Sequence, residues 1–140
     1  MNLEVLKTEI ALPMYSAMTD QQIATSINTL SVINYKIVDY ADVASYLTVV
    51  SKYLVISEST LESARSFMLA MNTFKTFNLN LPLVSTTVGN ILVALKTDNL
   101  IDATDEALIL SLADAPNISR ATELGLPEVK LVHISDTRVI

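Results

Sequence analysis

Apolar residues recur at three- and four-residue spacing through most of the chain, the period of helices that bury one face. Leu3, Leu6 and Ile10 make the first stripe; Asn2 stands where a cap is needed, and Pro13 ends the run. Thr19-Asp20-Gln21-Gln22 reads as a capping box and opens a helix with Ile23, Ile27 and Leu30 on one face. The period then changes. Residues 31 to 38, Ser-Val-Ile-Asn-Tyr-Lys-Ile-Val, are β-branched and roughly alternating, which predicts one short extended segment. A single strand needs a partner, so this segment is either a lone connector or an edge offered to another chain.

Helical spacing returns at Tyr40, Val43, Leu47, Val50 and Leu54, behind an acidic first turn of Asp39 and Asp42 that suits the helix dipole. Thr48, Val49 and Val50 lower the intrinsic propensity, so packing must hold this helix. Tyr46 and Tyr53 lie one heptad apart, as a binding stripe or, in the preferred reading, as the edge of a core. Ser59 and Glu62 read as a second capping box. Behind it Leu61, Ala64, Met68, Met71 and Phe74, with Phe67 beside them, predict a helix ending near Asn78. Its Met and Phe side chains fit a core better than an adaptable partner groove. Residues 78 to 83 read as a linker around Pro82, with the next helix starting at Ser85 or Thr86. Val88, Ile91, Leu92 and Leu95 then give a central, nearly all-apolar helix. Gly89 inside it marks close approach of a neighbour or a local weak point.

Asp98-Asn99 breaks that helix, and Asp102 with Asp105, or Thr104 with its first turn, caps another carrying Ala107, Leu108, Ile109 and Leu112, before Pro116. The least generic run follows: Ile118-Ser119-Arg120-Ala121-Thr122-Glu123-Leu124-Gly125-Leu126-Pro127. Ser119 can cap a short helix, Gly125 can take the left-handed conformation that ends it, and Pro127 blocks its continuation. Val129, Val132, Ile134 and Val139 suggest a short terminal helix or an extended tail. No linker divides the chain and no repeat is visible. The pattern predicts a mainly α fold: a compact single-domain helical bundle over 1–140, with five to seven short helices and one short extended segment.

Composition narrows what such a bundle could do. Charged residues are 17% of the chain, against about 25% in a typical soluble domain. A surface built from Ser, Thr and Asn is easily desolvated, which favours burial in an assembly and predicts an oligomer or part of a larger structure. The net charge is −6. Nine Lys and Arg are scattered with no two adjacent, so neither nucleic acid nor an anionic membrane is an expected partner. The longest clean apolar run, Ile91–Leu95, is far short of the roughly 20 residues that span a bilayer. The start has no basic segment of the kind a signal peptide carries. With no Cys, one His and two Gly, the chain offers no thiolate chemistry, no phosphate-cradling loop and no zinc set. Asp102, Asp105 and Glu106 are the only local carboxylate cluster, and a helix's first turn explains them better than catalysis does. Asp98, Asp102 and Asp105 lack the central Gly and late Glu of a calcium loop. His133 reads as a surface or capping residue. No enzyme activity and no cofactor are expected.

Two patches carry a family resemblance: Tyr15-Ser16-Ala17-Met18-Thr19-Asp20-Gln21-Gln22-Ile23-Ala24 with Ile27-Asn28, and the run from Ile118 to Pro127 with Val129 and Arg138. In these the chain resembles a family of small tailed-bacteriophage proteins encoded among virion structural genes. The middle, roughly residues 55 to 110, matches only as a helical pattern. Where the family carries an Arg- and Asn-rich stretch after the Asn28 position, this chain has residues 29 to 38, Thr-Leu-Ser-Val-Ile-Asn-Tyr-Lys-Ile-Val. The resemblance implies a non-enzymatic virion structural protein (tail, neck or capsid-associated), located in the particle and assembled in the host cytoplasm. Its partners would be copies of itself or other virion proteins; it supplies no catalytic residues. The alternative is a soluble phage-encoded binder that inhibits a host or defence protein, its acidity suiting a basic target. The candidate contacts are Val32, Ile33, Tyr35 and Ile37 in the extended segment, and Val129, Leu131, Ile134 and Val139 in a contact tail at 129–140.

Overall fold

The computed structural model describes all 140 residues. In chain order the helices are α1 (Leu3–Ile10), α2 (Asp20–Asn28), α3 (Tyr40–Val49), α4 (Tyr53–Glu58), α5 (Glu62–Thr73), α6 (Pro82–Thr97), α7 (Ala103–Ser111), α8 (Arg120–Glu123) and α9 (Leu131–Thr137). A 3₁₀ turn spans Pro13–Tyr15, and two short strands, β1 (Val38–Asp39) and β2 (Thr76–Phe77), pair antiparallel. The fold is mainly α, with nine helices rather than five to seven. The chain divides into two compact units: residues 1–34 with 116–140, and residues 35–115.

The first unit is discontinuous in sequence. Asn2 caps α1 by accepting the Val5 N–H, and the Thr19–Gln22 capping box forms as the spacing predicts. α1 packs on α9, and α2 on α8 and α9. Leu6, Tyr15, Ile23, Ile27, Ala121, Leu126, Val129 and Ile134 close the core. Val32 and Ile118 exchange backbone hydrogen bonds at 2.9 and 3.0 Å. Ser119 caps α8 by accepting the Thr122 N–H. Gly125 is left-handed, with φ of 71°. Leu30 lies beyond the end of α2 and is exposed, not on its buried face.

The second unit packs α3 to α7 around Val43, Leu47, Ile56, Phe67, Leu92, Leu95 and Ile109. The stripe expected to run from Tyr40 to Leu54 is interrupted. Ser51 adopts a left-handed conformation, φ 62°, and the chain restarts as α4 with Leu54 turned to solvent. The break lets Ile56 enter the core, and burying an aliphatic side chain, about 1.5–3 kcal/mol, outweighs the local strain of one left-handed residue. The Ser59–Glu62 capping box does not form: Leu61 is the N-cap of α5, and Ser59 Oγ accepts the Leu61 N–H instead. α5 ends at Thr73, not near Asn78, because the chain must extend to pair β2 with β1. α6 begins at Pro82 itself, since proline at the first helical position removes a donor that would have no partner there. Leu108 faces outward while Ile109 is buried.

A Cβ built on Gly89 meets nothing within 4 Å, so the glycine marks a weak point in α6 and not a close helix approach. Gly89→Ala should therefore raise the unfolding free energy by about 1 kcal/mol. Gly125→Ala, with equal space but positive φ, should lower it by about 1 kcal/mol. Urea unfolding of the two variants checks both signs.

Candidate interaction surface

The segment at 31 to 38 is not an open edge. In the first unit Val32 is paired to Ile118. In the second, Tyr35 bridges Asp114, its N–H and C=O are both held by the Asn80 side chain at 3.0 and 2.7 Å, and Lys36 N–H donates to Ala113 O. Val38 and Asp39 pair with Phe77 and Thr76. Much of the segment's backbone is committed within the chain, which leaves its exposed side chains as the main groups for contact. Val32 and Tyr35 are half-buried, whereas Ile33 and Ile37 are exposed. In the tail, Val129 and Ile134 are core residues, Ile134 at 0% exposure. Both are packing residues rather than contacts: α9 turns Ile134 inward against α1 and α2, and the Asn28 side chain holds the Val129 backbone from both sides, at 2.7 and 2.9 Å. Leu131 and Val139 remain exposed.

Ile37 is the candidate with company. It lines an apolar groove of about 400 Å³ in the second unit. The floor holds Tyr40 and Phe77, whose rings are stacked at a tilt, centroids 4.9 Å apart. Phe74, Leu81 and Leu83 complete the walls, and no charged side chain lines it. Ile37 is 63% exposed and Leu83 84%. Only the fold assembles this set: Ile37 precedes β1, Phe74 caps α5, and Leu81 and Leu83 begin α6. The helical spacing places Phe74 on a core stripe and Leu81 in a linker, and no local pattern marks them as neighbours.

Two networks gather the buried titratable groups Asp105 and Glu9. Asp102 and Asp105 form a reciprocal capping box on α7. Asp105 also accepts from Tyr46 Oη at 2.7 Å and from Lys52 Nζ, and Lys52 reaches Asp102 at 3.2 Å. Burial pushes the Asp105 carboxyl up, but the hydrogen bonds from Lys52, the Asp102 backbone and Tyr46 more than offset it, leaving its pKa below the ordinary 3.8. Asp98 accepts from Ser63 instead of joining this set. No three His, Cys, Asp or Glu side chains gather to hold a metal ion. His133 Nδ1 accepts the Lys130 N–H at the start of α9. The second network has no local sequence signal, since Glu9 and Arg120 lie 111 positions apart. Arg120 Nε and Nη2 donate to the two oxygens of Glu9 at 2.8 and 2.9 Å, and Tyr15 Oη donates to Glu9 at 2.9 Å. Glu9 is 4% exposed. Its hydrogen bonds from Arg120 hold its pKa below the ordinary 4.5 against the opposing effect of burial. Burial and the bond to Glu9 push the Tyr15 hydroxyl up to about 12.

Ile37→Glu should leave stability within about 0.5 kcal/mol, as at an exposed site, while Ile134→Ala should cost about 2–5 kcal/mol through the cavity it leaves. Chemical denaturation distinguishes them. Glu9 and Asp105 have lowered folded pKa values, so the unfolded chain takes up protons first. Their stabilisation is complete above their unfolded values and is lost as pH falls through the folded ones. Glu9→Gln should cost about 2 kcal/mol at pH 7, less than a fully buried broken pair because Arg120 keeps some solvent. It should also flatten the acid limb of a stability–pH curve.

Searches of protein-family models, curated proteins and solved structures find no match to this chain.

Proposed function

We propose that the protein is a non-enzymatic structural component of a tailed-phage virion, in the tail, neck or capsid-associated, acting through protein–protein packing. The observation that carries this reading is the uncharged apolar groove around Ile37, Phe74, Leu81 and Leu83. The largest apolar patch on a single-chain protein, typically about 300–600 Å², is often where it meets a partner. The low charge of the chain, 17% of residues, works in the same direction, because a hydroxyl-rich surface loses little hydration on assembly. The phage context comes from the resemblance in residues 15–28 and 118–127. Arg120, inside the second patch, is the partner of Glu9, which gives that stretch a role in folding.

Quantitative mass spectrometry of purified particles of the encoding phage should find the protein at a fixed copy number, and a multiple of three, five or six would point to its symmetry position. Presence in infected cells with absence from particles would overturn the reading and leave a host-directed binder.

A further inference from the structure

We propose that the groove of the second unit is a two-fold self-association site, its occupant being the same patch of a second copy of this chain. The inference rests on the reading of the protein as an assembly component and names its first partner. Three features carry it. The patch holds both a hole and a knob: the groove itself, and Leu83, the most exposed of its large apolar walls. A hole and a knob on one patch satisfy the isologous condition, in which each copy fills the other.

The second feature is charge. At a net charge of −6, copies of this chain repel one another across most of their surfaces. The groove is the large apolar surface lined by no charged side chain. The charges nearest it in sequence are of both signs. Lys36 and Lys75 make no ion pair within the chain, nor does Asp39. Lys36 and Lys75 sit at opposite ends of the β1–β2 pair, where Tyr40 N–H donates to Lys75 O. Unpaired rim charges of both signs allow opposite-sign pairing between two copies.

The third is area. Ile37, Phe74, Leu81 and Leu83, each more than half exposed, present on the order of 400 Å² of apolar surface per copy. Doubled across a two-fold axis, and at roughly 60% apolar content, this corresponds to an interface of about 1,300 Å², inside the range of specific stable contacts.

Sedimentation equilibrium of the purified chain should give a monomer–dimer equilibrium with a micromolar dissociation constant. Leu83→Lys and Ile37→Glu should each weaken it at least about tenfold. Val49→Lys, matched in charge to Leu83→Lys and on an exposed side chain outside the groove, should leave it unchanged. Circular dichroism and urea midpoints confirm that the variants fold. A wild-type chain that stays monomeric at about 100 μM, a dimer indifferent to both groove variants, or an open series of oligomers abolished by Val49→Lys would each overturn the proposal. The measurement uses the chain alone. Dimerisation therefore stands or fails independently of whether the protein is found in particles.

Discussion

The pairing of Glu9 with Arg120 is the constraint on which the first unit depends. Residues 1–34 and 116–140 build one core from two short segments, and segments this short do not bury enough surface to fold alone. Glu9 is a carboxylate with almost no access to water. Such a group is tolerated only if paired and hydrogen-bonded. The guanidinium fork supplies two parallel bonds, and Tyr15 supplies a third. An arrangement that seats α8 elsewhere removes both Arg120 bonds from Glu9 and leaves only the one from Tyr15. A buried pair of this kind adds little net stability over an apolar replacement, but removing one partner from it is costly.

The second unit solves a different problem. Its helices are apolar over much of their surface, and β-branched residues weaken α3. Packing decides where they stop. The left-handed Ser51 and Asn99 are the two points where the chain reverses at some local cost so that α4 and α7 can bring Ile56 and Ile109 inward. Lys52, directly after Ser51, is tied to Asp102 and Asp105 at the start of α7. Asp102 and Asp105, which the sequence places in a helix's first turn, cap α7 and anchor the α3–α4 corner.

The apolar surface is what the packing leaves over. Closing the β1–β2 pair holds Val38 and Phe77 in the core and turns Ile37 outward. Starting α6 at Pro82 places Leu81 and Leu83 beside it. Ile37, Leu81 and Leu83 lie outside the core, yet together they line an uncharged groove on an acidic protein. That contrast is the main physical support for a protein that works by packing against others.

Local signals in the sequence determined the mainly helical class, the caps at Asn2, Thr19, Asp102 and Ser119, and the left-handed Gly125. Each depends on interactions within four residues, so a short window contains the whole cause. Ile37 was legible as a candidate contact because a β-branched run off the helical period stands out locally. The tertiary structure alone decided the break at Ser51, the extra helices, the burial of Val129 and Ile134, the Glu9–Arg120 pair and the groove. These depend on which distant segments meet, and on whether burial gained there exceeds a local penalty. No single window of sequence contains both terms of that comparison.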